Sequence, residues 1–222
     1  MILWQAQLSK LRKSSKHRGS SLNRKIGNLR PGKTILIACE GQKTEYNYFK
    51  AIKKEYRIAA LTIKRGSGKS PLNIVQEAIK FVNDQRSKGF TFDEKWCVFD
   101  TEEPEISAIV QEAIKIGREN GFNLALTNPA FEFWYLLHYE KTTRLYSNCD
   151  EVIKDLKKYI PSYEKNFEDF TDIFSRMDDA LNHAEEILAQ HAKDNAEEFP
   201  NPCSHVHHLV KVLRNLQNPH LR

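Results

Sequence analysis

Short apolar runs alternate along the chain with longer stretches whose apolar residues recur at helical spacing. Residues 34–39 are apolar or β-branched with no polar alternation, which predicts a strand covered on both faces. Glu40-Gly41 closes that run, and Thr44 is placed to cap the helix that follows. On this helix Tyr48, Phe49, Ile52 and Tyr56 fall on one side. Residues 59–64 read as a second strand. A helix over 71–88 follows, with Ile74, Ala78, Phe81 and Val82 as its apolar stripe. Residues 96–99 give a third strand. Pro104 suits the first turn of the next helix, whose inner face would be Ile106, Ile109, Val110, Ala113 and Ile114. Asn120-Gly121 ends it. Residues 122–126 form a fourth strand, and Thr127-Asn128-Pro129 breaks the chain before the apolar run 131–139. The alternation predicts an α/β fold with a mainly parallel sheet flanked by helices. From about residue 148 the pattern is helical, near 149–160, 169–193 and 204–217, with a loop at 195–203 and no further strand. The predicted organisation is an arm (1–32), an α/β domain (33–147) and a helical C-terminal extension packed on it (148–222).

Charge changes this picture at one end. The net charge is +5, yet residues 1–30 hold Lys10, Arg12, Lys13, Lys16, Arg18, Arg24, Lys25 and Arg30 and no acid. The remainder is slightly acidic. A flexible basic arm of this kind suits contact with a nucleic-acid backbone. Its apolar tip, Met1-Ile2-Leu3-Trp4, could pack on the body or on a partner. Cysteines 39, 97, 149 and 203 form no CxxC pair, and no signal-like segment is present. Both features favour reduced thiols and a cytoplasmic location. Cys39 and Cys97 read as small core residues. No apolar run approaches the ~20 residues that span a bilayer.

The candidate chemistry lies at the ends of two buried strands. Glu40 ends the first, and Asp100, Glu102 and Glu103 end the third. In a parallel sheet these ends share one edge, where open α/β sheets build their sites. Carboxylates gathered there repel one another unless a cation neutralises them. Two or three of them suit a hard divalent ion, Mg2+ or Mn2+, and hence phosphoryl chemistry. Strand ends are also ordinary solvated places for acids. Glu132, at the start of a helix near the same edge, could bind the metal or simply favour a helix N-terminus. Lys43, Arg65 and Lys69 are candidate contacts to substrate phosphate. Gly68-Lys69-Ser70 resembles the end of a nucleotide-binding P-loop, but the first glycine of that motif would fall at Ile63. The stretch therefore reads as a loop feeding a helix. His138 reads as a packed histidine. His205, His207 and His208 lack the cysteines or acids that a zinc site would need.

An apolar strand ending in Glu-Gly, then one ending in Asp-x-Asp/Glu, resembles the TOPRIM domain. Four stretches bring the chain closer to the RloB family. They are Glu40-Gly41-Gln42-Lys43-Thr44-Glu45 within 35–49, Trp96-Cys97-Val98-Phe99-Asp100-Thr101-Glu102-Glu103, Asn128-Pro129-Ala130-Phe131-Glu132-Phe133-Trp134 within 128–138, and Asn201-Pro202-Cys203-Ser204-His205 within 201–210. That resemblance implies a TOPRIM-like, Rossmannoid sheet. It also implies a metal-dependent nuclease of anti-phage, abortive-infection defence, cutting DNA or RNA and often encoded beside an ATPase partner. By position Glu40 would be the general base or a metal ligand, and Asp100 and Glu102 the metal-binding pair, with Glu103 beside them. The second acid of the pair is usually Asp. The longer Glu102 leaves open which of Glu102 and Glu103 is the ligand. The alternative is a non-catalytic subunit or sensor of a defence complex; a homo-oligomer is compatible with either. A primase or topoisomerase ranks third, for want of a zinc ribbon or strand-passage domain.

Overall fold

The computed structural model describes residues 33–217 except 69, 102–104 and 195. The basic arm and its apolar tip lie outside the described residues. So do Lys69, Glu102, Glu103 and Pro104.

β1 (Ile35–Cys39) is the central strand, and all its residues are buried. It divides two cores by simple alternation. Ile35, Ile37 and Cys39 point to one side, where α1 (Thr44–Glu55) supplies Tyr48, Phe49 and Ile52. Leu36 and Ala38 point to the other, against Ile74, Val75 and Ala78 of α2 (Pro71–Ser87) and Val110, Ala113 and Ile114 of α3 (Ala108–Glu119). Burial on both faces explains the unbroken apolar run. Each buried Ile, Leu, Val or Phe among them contributes roughly 1.5–3 kcal/mol relative to exposure.

β2 (Leu61–Arg65), β3 (Glu94–Asp100) and β4 (Asn123–Asn128) lie parallel to β1. β5 (Cys203–Ser204) adds an antiparallel edge, giving the order β2-β1-β3-β4-β5. The first core continues through α4 (Glu132–Leu136), α5 (Cys149–Leu156), α6 (Thr171–Ser175), α7 (Met177–Lys193) and α8 (Val206–Asn215). The chain is thus an α/β fold, a mixed and mostly parallel sheet flanked by helices. No described helix is long and apolar enough to cross a membrane.

Several sequence expectations need correction. The C-terminal region is not purely helical, because β5 joins the sheet; two residues are too few to leave a periodic signal. The expected helix over 169–193 is interrupted at Arg176, between α6 and α7. Thr44 does not cap α1. Lys43 holds that position without a side-chain bond, and the Thr44 hydroxyl instead donates to the Lys165 carbonyl at 3.2 Å. α3 starts at Ala108, where the Ser107 side chain accepts from the Val110 amide. That phase puts Val110 and Ala113 inward and leaves Ile109 52% exposed, while Ile106 precedes the helix.

The loop after β2 shows why its glycine matters. Gly66 donates its amide to the Cys39 carbonyl at 2.7 Å. A Cβ there would lie 2.5 Å from that oxygen and 2.8 Å from the Glu40 carbonyl. Both obstacles are backbone at the end of β1. Gly66→Ala is therefore expected to cost about 1–3 kcal/mol, read as a lowered melting temperature. Ser70 and Pro71 behave as a cap and first-turn pair, the Ser70 hydroxyl accepting from the Asn73 amide. The segment is a loop feeding a helix, as its spelling suggested.

Candidate functional site

The chain runs from β1 outward to β2, then crosses back to β3. The crevice beyond the carboxyl ends of β1 and β3 is therefore the topological switch point of the sheet. Glu40 follows β1 and Asp100 ends β3, so this crevice receives both. It opens as a cleft of about 500 Å3. Glu40 and Asp100 line it together with Glu45 from α1 and Glu132 from α4. Lys43, Asp150 and Lys165 also line it.

Glu45 is only 5% exposed and folds back over Gly41, whose amide donates to its Oε1 at 3.1 Å. A Cβ on Gly41 would strike this carboxylate. Burial first, then the charge of Glu132, pushes the Glu45 carboxyl up to about 7. Asp100 is half-buried, and its Oδ1 is fully covered with no hydrogen-bond partner among the described residues. Burial, then Glu45 and Glu132, with Glu40 adding to them, raise its carboxyl well above the usual range; a hydrogen bond from the Phe131 backbone opposes this. Glu132 is also buried. The Tyr163 hydroxyl donates to its Oε1 at 2.9 Å, and the Cys149 thiol reaches its Oε2 at 3.4 Å. Burial and Glu132 hold that thiol in its neutral, donating form.

These carboxylates repel one another, and the lysines that line the cleft, Lys43 and Lys165, are exposed. Such an arrangement is costly unless something neutralises it. The oxygen donors and the unpartnered Asp100 Oδ1 suit a hard divalent cation in their chemistry. No three His, Cys, Asp or Glu side chains among the described residues form a ready coordination shell.

Of the residues singled out from sequence, Glu40, Asp100, Glu132 and Lys43 meet in the cleft. Arg65 does not line it: its guanidinium lies over the Tyr46 ring, 4.1 Å from the centroid. Lys69, Glu102 and Glu103 lie outside the described residues, although Gly68 lines the cleft. His138 is packed as expected. It is fully buried with Nδ1 2.9 Å from the Trp134 carbonyl, and burial lowers it to about 4. His205, His207 and His208 cluster elsewhere, the last two with ring centroids 3.8 Å apart. Cys39 and Cys97 are buried, and burial pushes both thiols up.

Three participants escaped the sequence reading. Glu45 carried a usable signal: it precedes Tyr48, Phe49 and Ile52 at helical spacing, so it extends a buried stripe with a charge. Tyr163 and Lys165 come from the loop after α5, and nothing in their spacing ties them to β1. Tyr163→Phe removes a hydroxyl donor from a buried carboxylate. The expected cost is about 1–3 kcal/mol, checked by denaturant titration.

A mostly parallel α/β sheet with an acidic cleft at its switch point defines the class of this protein. Within that class the chain belongs to the RloB-like protein family, whose family model matches residues 35–213. No curated protein and no solved structure matches the chain.

Proposed function

We propose that this RloB-like chain is a Mg2+- or Mn2+-dependent nuclease that hydrolyses phosphodiester bonds in DNA or RNA. The observation that supports it most is the convergence of Glu40, Glu45, Asp100 and Glu132 on one cleft, with Asp100 Oδ1 buried and without a hydrogen-bond partner among the described residues. Asp100 and Glu40, from adjacent strand ends, would hold the ion, with Glu132 or the neighbouring Glu102 and Glu103 completing its protein ligands. A bound divalent ion polarises a phosphoryl oxygen and lowers the pKa of water. Tyr163 and Cys149 fix the Glu132 carboxylate so that it cannot swing away from the cleft. Glu45, with its carboxyl near neutrality, can take or return a proton at Oε2 while Oε1 stays on the Gly41 amide. Lys43 at the rim offers charge to the incoming polyanion. An anti-phage role beside an ATPase partner in the cytoplasm extends this reading by family resemblance.

The test is incubation of wild-type and Glu40→Gln protein with labelled DNA and RNA, with Mn2+ and with chelator. Cleavage that needs Mn2+ and falls at least about a hundred-fold in the variant is the expected result. Wild-type protein that cuts neither polymer, alone or with its ATPase partner, would favour a non-catalytic subunit.

A further inference from the structure

We infer that Lys165, supplied by the loop between α5 and α6, binds a non-bridging oxygen of the substrate phosphate and so belongs to the nucleic-acid contact of the cleft. The inference rests on the nuclease reading and adds to it a residue outside the strand ends. Lys165 lines the cleft with Glu40, Asp100 and Glu132. Its position is fixed from the α1 side. The Thr44 hydroxyl donates to the Lys165 carbonyl at 3.2 Å, and the Thr44 carbonyl accepts from the Tyr135 hydroxyl at 3.1 Å. The loop is thus pinned to the first turn of α1, whose Lys43 and Thr44 line the same cleft.

The neighbouring lysines show what Lys165 does not do. Lys157 pairs with Glu164 at 3.2 Å and Lys158 with Asp155 at 2.7 Å. Lys165 stands beside the acid cluster, yet it makes no ion pair within 4.0 Å among the described residues. As a lysine at neutral pH it carries a charged ammonium. A charged, unpaired ammonium beside carboxylates that suit a divalent ion is complementary to a phosphodiester. The metal would neutralise the carboxylates, and the lysine would remain for the substrate anion. Lys165 is exposed, so its replacement leaves the core intact.

The experiment measures anisotropy of a short fluorescein-labelled single-stranded oligonucleotide, in deoxyribose and ribose forms, with Ca2+ in place of Mn2+. Affinity is followed across a salt series for wild type, Lys165→Ala and Lys165→Arg, and Mn2+ binding is titrated for each. Loss of one phosphate contact flattens the slope of log affinity against log salt by about 0.7. We expect that change and about a ten-fold weaker Kd at low salt for Lys165→Ala, near-complete recovery in Lys165→Arg, and retained Mn2+ binding in both. Lys165→Ala with wild-type affinity and slope would overturn the role of Lys165 alone. Wild-type protein that binds neither oligonucleotide would overturn the nuclease reading and this contact with it.

Discussion

Asp100→Asn is expected to raise the melting temperature of the metal-free protein while removing both the stabilisation by Mn2+ and the cleavage proposed for the wild type. The Asp100 carboxyl is raised well above its ordinary value by burial, then by Glu45 and Glu132. Ionising Asp100 is therefore unfavourable in the metal-free folded state, whereas the unfolded chain would solvate the same charge freely. Asparagine keeps the shape, removes the charge and adds an amide donor facing carboxylate acceptors. The gain should be about 1–3 kcal/mol, the range for relieving an unpartnered buried polar group. For a chain of this size each kcal/mol moves the melting temperature by roughly 2–4 °C. Wild-type protein should gain about 2.7 kcal/mol more at a Mn2+ concentration of a hundred times Kd. The variant should gain almost none, because Asp100 Oδ1 is a covered oxygen with no hydrogen-bond partner among the described residues, and a neutral amide in its place is a much weaker ligand for a hard cation. Cleavage should fall at least about a hundred-fold. Thermal melts with and without Mn2+, run beside the cleavage assay, check all three. A variant less stable than wild type in chelator would mean that Asp100 is a structural acid, satisfied by contacts other than a cation.

That opposition of stability and function explains which parts of the molecule were legible in sequence. β1 was plain because Ile35, Leu36, Ile37 and Ala38 are buried on both faces, and no polar residue can interrupt such a strand. Glu40 and Asp100 were legible as its violations, acids placed where the apolar runs of β1 and β3 stop. Glu132 was visible as the acid that starts the helix near the same sheet edge, and it proves almost fully buried. Glu45 was harder to read. A glutamate in the first turn of a helix is ordinarily a favourable solvated charge, and only its alignment with Tyr48 and Ile52 marks it as buried. Lys165 and Tyr163 could not be read at all. Their place in the cleft depends on how the loop after α5 returns to α1, a contact across a long sequence separation that no local period encodes. Thr44 shows the converse error. It has the composition of a cap, but the helix starts one residue earlier than that role requires, so Thr44 is its first residue and its hydroxyl donates to the Lys165 carbonyl instead.

The pH dependence of stability should single out Glu45. Its carboxyl rises from 4.5 to about 7 on folding, through burial and then the charge of Glu132. Below pH 4.5 the group is protonated in both states and costs nothing. As pH rises from there towards 7 the unfolded chain ionises first, so the folded state loses stability across that window. Above about 7 the loss is complete, on the order of 3 kcal/mol for this group. Glu45→Gln keeps an oxygen for the Gly41 amide and removes the titration. In metal-free buffer at pH 8 the variant should therefore be the more stable protein, and near pH 4.5 the two should converge. Mn2+ should reverse the order at pH 8, because a cation in the cleft favours the ionised glutamate that the variant lacks. Denaturant midpoints measured at both pH values, with chelator and with Mn2+, decide it. Parallel pH curves for the two proteins would show that Glu45 does not titrate in this range and would remove it as the proton carrier of the cleft.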